Sequence, residues 1–474
     1  MAQKVMIEPV TRIEGHAKVS IILGDDGRVE RARLHVNEFR GFEQFCRGRM
    51  FFEMPQITPR ICGICPVSHH LAAAKAADAI IGVTPTHTAS LLRELMHMGQ
   101  VVQSHSMHFF ELAGPDLLLG FDADPAKRNV VGLIEQQPEI ALKGVMLRKF
   151  GQSIIAALGQ KRVHPEFAVA GGVNSALTIE ARDTIRRDLA ARIEDAQAGI
   201  AIAKAWLNEH QDYADTFASF PCGYLGTVAE DGTLDLYQGK LRLIDCYGNR
   251  LEEFDPADYL DYIGERVEDW TYLKFPYYLK LGWPGGVYRV GPLARLNMCS
   301  GIATPLAHEE WRQWQQVNGG KPVQGTLYYH WARMVETLYA LERTAQILED
   351  PDVMSNDLYV PSDQITRRGV GCLEAPRGTL IHDYRTDPDG KLIDVNLIIA
   401  TGHNNWAMSR SVEEVAKAYV DGTRLTEGML NRVEAAIRAH DPCLSCSTHA
   451  VGQMPLEVTL LRGDGEVVER VVRG

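Results

Sequence analysis

Apolar and polar positions alternate from Lys18 to Leu23 and again from Val29 to Val36, with Asp25-Asp26-Gly27 between them. A period of two around such a turn predicts an antiparallel hairpin. The period then changes. Apolar residues recurring every three or four positions predict long helices near 88–113, 135–159, 178–209 and 329–349. Two shorter helices are predicted near 411–420 and 426–439. The alanine-rich stretch Ser68 to Ile81 predicts another, and Pro66 just before it suits a first helical turn. From 214 to 305 the periodicity breaks into Gly, Pro and aromatic residues with short strand candidates. Asp387-Pro388-Asp389-Gly390 turns into an apolar run, Val395 to Ala400, expected to be a buried strand. A last hairpin is expected over Leu456 to Val472 around Gly463-Asp464-Gly465. No repeat, low-complexity tract or flexible linker interrupts the pattern. The expected fold is α+β, mainly α: a central bundle of long helices with small peripheral sheets and hairpins.

Composition narrows the class. The chain has 474 residues, 45% of them hydrophobic, and a formal net charge of -12. A core of that size does not need a metal to fold. The acidic balance speaks against a nucleic-acid partner and against a polybasic membrane contact. No apolar run reaches the roughly eighteen residues of a membrane span, so no membrane insertion is expected. The opening residues lack the apolar stretch of an export signal, and a cytoplasmic location is the expectation.

Nine cysteines change the picture. Four form two C-x-x-C pairs, Cys62/Cys65 and Cys443/Cys446, at opposite ends of the chain. The other five, at 46, 222, 246, 299 and 372, are isolated and read as small buried hydrophobes. The odd count and the clustering oppose a disulfide framework. Four thiolates suit zinc or a single iron by spacing alone, and a thioredoxin-type dithiol would explain only one pair. Cys62 and Cys65 fall in a turn feeding a helix N-terminus, where the dipole and free N–H groups favour thiolates.

The residues around the pairs carry a resemblance. Arg60-Ile-Cys-Gly-Ile-Cys-Pro-Val-Ser-His69 and Asp441-Pro-Cys-Leu-Ser-Cys-Ser-Thr-His449 resemble the two metal motifs of nickel–iron hydrogenase large subunits. Pro9-Val-Thr-Arg-Ile-Glu14-Gly-His, Phe39-Arg-Gly-Phe-Glu43 and Glu374-Ala-Pro-Arg377-Gly-Thr-Leu match further segments, in family order. Val145-Met-Leu-Arg-Lys-Phe-Gly and Arg289-Val-Gly-Pro-Leu-Ala-Arg look most like the soluble, bidirectional, NAD-linked subgroup.

The resemblance implies a Ni–Fe centre for reversible H2 oxidation. All four cysteines would bind nickel, Cys65 and Cys446 would also bridge to iron, and iron would carry one CO and two CN- ligands. Cys443 would accept the proton and Glu14 relay it. Taken without the resemblance, Glu14 reads as a helix cap or a salt-bridge partner of Arg12. Arg377 would lie over the iron, held by Asp441; alone, it reads as a surface-loop arginine and Asp441 as turn chemistry. His69 would hydrogen-bond Cys65, or simply pack on alanines. His105 and His108 read as buried polar residues, and Ser104 stands where membrane-bound relatives have a carboxylate. Glu43 and His449 would bind Mg2+, with a backbone carbonyl near Asn396.

These regions make one packed unit over 1–449: an N-terminal β and metal-motif region (1–85), a helical core (86–213), an irregular insert (214–305) and a helical C-terminal region with the second metal motif (306–449). The resemblance implies that residues 450–474 are removed after His449 by a maturation protease once nickel-insertion proteins have acted. The unpaired cysteines cannot easily build an electron-carrying cluster, and no G-x-G-x-x-G follows a strand. The expected partners are therefore a small iron–sulfur subunit with NAD(P)-binding diaphorase subunits. Two rivals stand beside this reading: a nickel-free scaffold subunit related to respiratory complexes, and a zinc-stabilised interaction protein.

Overall fold

The computed structural model describes residues 3–448, 456–462 and 467–473. Its centre is the helix Tyr329–Glu349, buried over nearly all its length. It is enclosed by other elements and packs against His87–Ser106 and Ile179–Glu209, and its buried Arg333 and Glu336 are polar groups within the core. Pro138–Gly159 lies along His87–Ser106 on the outer side. Gly99 and Gly151 face each other where these two helices cross, so their backbones approach closely.

The predicted helices are present with physical adjustments. The expected 88–113 helix is α-helical over His87–Ser106 and widens to a π-helix over Met107–Ala113. The expected 135–159 helix is two, Val130–Gln136 and Pro138–Gly159, because Pro138 has no N–H to continue the first. The helix expected at 411–420 begins earlier, as Asn405–Tyr419, and Glu427–Ala439 matches its prediction.

The first hairpin forms where expected, Ala17–Leu23 against Val29–Val36, and Gln3–Ile7 adds a third strand. The irregular stretch 214–305 builds a sheet from Gly223–Val228, Lys240–Ile244, Arg250–Phe254 and Tyr288–Arg289. The expected 395–400 strand runs over Leu392–Ile398 and is the outer member of a three-stranded sheet with Arg368–Ala375 and Gly378–Thr386. That sheet lies on the alanine-rich helix Pro66–Ile80. The approach is so close that a Cβ at Gly371 would sit 2.0 Å from the Ala72 carbonyl oxygen. The C-terminal strands Leu456–Leu461 and Val467–Arg473 pair antiparallel, as expected.

Buried charge ties the helices together. Arg295 donates to Glu336 (2.6 Å) and Glu374 (2.7 Å), and Glu336 also holds His105 (2.9 Å). His105 is neutral at physiological pH, its pKa lowered to about 4 by burial. A second cluster centres on Asp116, which accepts from Arg12 (2.5 Å), Arg438 (2.5 Å) and Asn431 (3.0 Å). Removing one partner from a buried pair strands the others, at about 3–5 kcal/mol. Asp116→Asn is therefore expected to destabilise the chain by roughly that amount, seen as a lower midpoint in denaturant unfolding; an unchanged midpoint would contradict it.

Candidate metal centre

Each cysteine pair sits in a turn beside a helix end. Cys62 follows a short 3-10 turn, and Cys65 precedes Pro66, the first residue of Pro66–Ile80. The Ile64 and Cys65 N–H groups donate to Cys62 Sγ at 3.2 and 3.4 Å. Cys443 and Cys446 lie just beyond the end of Glu427–Ala439, and Thr401 Oγ1 accepts the Cys443 N–H at 2.9 Å.

Tertiary structure brings the pairs together. Cys62 Sγ lies 3.2 Å from Cys443 Sγ, Cys65 Sγ 3.6 Å from Cys446 Sγ, and Cys443 Sγ 2.9 Å from Cys446 Sγ. All exceed the roughly 2.05 Å of a disulfide bond, and all four are free and buried. The four sulfurs lie within 4.8 Å of one another, so they can share one ion.

Their acidities diverge. Hydrogen bonds from Cys443, Cys446, Cys62 and His69 hold Cys65 well below the usual thiol range. Burial and the neighbouring sulfurs push Cys443 and Cys446 well above it. Burial thus disfavours the charged form at Cys443 and Cys446, and a cation held by the four sulfurs would offset it. A soft donor set of this kind fits nickel and iron, and the buried geometry fits the group.

Arg377 faces the same small cavity as Cys65, Cys443 and Cys446. It is a tip residue of a two-residue hairpin, Pro376-Arg377, between the paired Ala375 and Gly378. The alternative of a surface-loop arginine does not hold: the tip is pressed into the core and Arg377 is 2% exposed. Burial opposes its charge, but Asp441 and the thiols of Cys443, Cys65 and Cys62 outweigh it and raise its pKa. It donates to Asp441 Oδ1 (2.9 Å) and Ser104 Oγ (3.4 Å). Burial lifts the Asp441 carboxyl to about 6 against the pull of Arg377 and Arg333. Arg377 Nε and Asp441 Oδ2 are buried without protein partners, as expected of atoms facing a bound group.

Glu14 is not paired with Arg12, which turns to Asp116 instead. Glu14 Oε2 accepts the Ser445 N–H (3.1 Å), and its carbonyl accepts the Leu444 N–H (3.1 Å). The carboxylate is thus fixed on the turn that carries Cys443. Gly15 allows the approach: its φ is +83°, and a Cβ there would lie 2.8 Å from Leu444 Cβ. Outward, Ser445 Oγ lies 3.4 Å from Glu38, which bonds His16 at the surface.

Glu43 lies apart from the sulfurs. It accepts the Leu397 N–H at 2.9 Å, beside Asn396, and burial raises its pKa. His449 and the expected cleavage point after it lie outside the described residues. The Arg40 N–H donates to the Thr448 carbonyl (2.8 Å), so the chain reaches 448 near the Glu43 segment. His69 is buried on Pro66–Ile80 and pairs with His382, a residue that motif reading did not single out. Thr401 and Asp116 also escaped it; their roles follow from contacts far apart in sequence.

Among the described residues, one further group could hold a metal, His87 with Asp350 and Asp352, and it is largely exposed.

Comparison with known proteins follows the same lines. Residues 4–39 match a family described as HoxL-like, and residues 40–131 and 225–449 match the nickel-dependent hydrogenase family. The chain is 44% identical to the beta subunit of the NAD-reducing hydrogenase HoxS of Cupriavidus necator, over all of both chains. It is also 44% identical to one subunit of the vhu F420-non-reducing hydrogenase of Methanocaldococcus jannaschii, covering 87% of this chain and 99% of that one. A crystal structure of an NAD+-reducing [NiFe]-hydrogenase in the H2-reduced state superposes with a TM-score of 0.92 at 46% identity, covering 94% of this chain and 99% of that one. The chain belongs to the nickel-dependent hydrogenase family.

Proposed function

We propose that this chain is the catalytic subunit of a nickel–iron hydrogenase that splits H2 reversibly into protons and electrons. The observation that carries the reading is the convergence of four buried thiols, Arg377 and Glu14 from distant segments of the chain. Cys62, Cys65, Cys443 and Cys446 would hold nickel, with Cys65 and Cys446 also holding iron; one CO and two CN- ligands would complete the iron. When bound, the Ni–Fe centre supplies the redox chemistry and polarises H2 for heterolytic cleavage.

The protein residues handle the proton and the environment. Cys443 Sγ receives the proton. The Glu14 carboxylate, held by the Ser445 N–H, takes it onward. Ser445 Oγ, Glu38 and His16 continue the route, and the His16 side chain is 74% exposed. Arg377 presents guanidinium donors to the iron ligands, and Asp441 keeps it in place. Glu43 and His449 would hold Mg2+ near residues 396–397, and removal of residues 450–474 would let His449 turn inward. Mass spectrometry of the active enzyme should find a chain ending at His449; a full-length active chain would refute the cleavage.

Electrons leave on another side. Gly63, between the first two cysteines, is exposed, with no atom within 4 Å of where its Cβ would be. The centre therefore lies close beneath a surface on which an iron–sulfur subunit can dock. Gly63→Arg is expected to leave metal content unchanged and to weaken that docking by at least about tenfold, or ~1.4 kcal/mol. Co-purification at low concentration checks this, and undiminished binding would place the docking face elsewhere. NAD(P) reduction would belong to diaphorase partners. Of two relatives equally identical to this chain, one is named NAD-reducing and the other only F420-non-reducing, so we assign the acceptor to the partner subunits. No helix among the described residues is long and apolar enough to cross a membrane; we place the complex in the cytoplasm.

The test is an infrared spectrum of the purified native complex. One carbonyl and two cyanide bands that shift under H2 are expected. Their absence from a processed, nickel-loaded complex would overturn the reading. A metal count separates the rivals: zinc for an interaction module, no metal for a scaffold subunit.

A further inference from the structure

His69 and the residues behind it form a buried chain with a direction. His69 Nδ1 lies 3.1 Å from His382 Nε2, and His382 Nδ1 lies 2.6 Å from the Tyr384 hydroxyl. Neither histidine nor Tyr384 is more than 1% exposed. His382 and Tyr384 stand two apart on the strand Gly378–Thr386, so their side chains share one face of the sheet. That sheet packs on Pro66–Ile80, which carries His69, and His69 lines the same small cavity as Cys65.

A neutral imidazole has one N–H donor and one acceptor nitrogen, and its tautomer follows from its partners. Two polarities are possible for the chain. In one, Tyr384 donates to His382 Nδ1, His382 Nε2–H donates to His69 Nδ1, and His69 Nε2–H is left to point toward Cys65. In the other, every bond is reversed and a nitrogen lone pair faces the sulfur. A metal-binding Cys65 is a thiolate, an acceptor only, so the second arrangement sets lone pair against lone pair. The first satisfies every group.

His382 is suited to this task because both of its ring nitrogens are engaged. Six other buried histidines among the described residues each leave one ring nitrogen without a partner. His382 cannot reverse its tautomer unless both of its neighbours reverse with it.

We infer that Tyr384 and His382 are positioning residues that lock His69 in the tautomer donating Nε2–H to Cys65 Sγ, and so tune the electron density of the bridging thiolate. Outer hydrogen bonds of this kind orient ligands and adjust the metal they serve. The inference rests on the Ni–Fe reading above.

The experiment is infrared spectroscopy of the holo complex with Tyr384→Phe, His382→Leu, His382→Gln and His69→Ala. Loss of a donor to the thiolate leaves more electron density on iron and lowers the carbonyl stretch. Tyr384→Phe and His382→Leu are expected to shift the band the same way as His69→Ala. His382→Gln, whose amide can still donate, is expected to restore it toward the native position. In a His69→Ala background, Tyr384→Phe should produce no further shift. Native bands unmoved by Tyr384→Phe and His382→Leu would overturn the inference and leave the Ni–Fe reading standing. A further shift in the His69→Ala background would also overturn it. No bands in the native complex would overturn the Ni–Fe reading itself. If none of the variants takes up nickel and iron, the chain serves assembly, and tuning is refuted.

Discussion

Replacing Glu14 with glutamine is expected to leave nickel and iron in place and to lower H2-driven turnover by about 10²–10⁴-fold, the usual contribution of a positioned proton carrier. Glutamine keeps the size of the side chain, and its amide oxygen can still accept the Ser445 N–H that fixes Glu14 at 3.1 Å. The turn bearing Cys443 should therefore keep its shape. What is lost is the ability to take up and release a proton at neutral pH. The defect should fall on proton exchange between H2 and solvent D2O, with the infrared bands close to native. A conservative change at the next carboxylate outward, Glu38→Gln, is expected to cost less, because Glu14 is itself only half-buried. If Glu14→Gln exchanged protons at the native rate, the proton would have to leave elsewhere and the proposed route would fail.

Replacing Cys446 with serine is expected to abolish activity altogether and reduce nickel and iron to below about a tenth of the native content, since a hydroxyl is a poor soft ligand. The geometry explains why one sulfur matters so much. Cys446 Sγ contacts both Cys443 (2.9 Å) and Cys65 (3.6 Å), one in its own pair and one in the other. Serine would leave the remaining thiols clustered around an incomplete donor set, beside a buried Arg377 with Asp441 as its carboxylate partner. If processing waits for the metal, this variant should also accumulate as the full-length chain. Elemental analysis and intact mass together give the answer. Native metal content would show that Cys446 is not a ligand.

Much of the fold was legible because local pattern and tertiary demand agree. The hairpin Ala17–Leu23/Val29–Val36 and the helices Ile179–Glu209 and Tyr329–Glu349 follow hydrophobic periods that their burial satisfies. The three-stranded sheet over 368–398 was legible only at its last strand. Its first two strands are buried on nearly every residue, so no alternation marks them. The sheet in 214–305 was hidden for another reason: its strands are short and joined by irregular segments.

The candidate site divides in the same way. The amino-acid sequence by itself determined the donor types: four thiols in two turns at helix ends, a carboxylate at 14 and a guanidinium at 377. Chemical identity and local spacing are properties of a short segment. Only the tertiary structure decided that the two cysteine turns meet, because that depends on helix Pro66–Ile80 and the end of Glu427–Ala439 packing from opposite ends of the chain. It also decided that Arg12 pairs with Asp116 and leaves Glu14 to the Cys443 turn, and that a hairpin tip buries Arg377 against the sulfurs. Each of these choices is settled by burial. A charge or hydrogen-bonding group withdrawn from water must find a partner, and which partner lies within reach is set by packing between segments hundreds of residues apart.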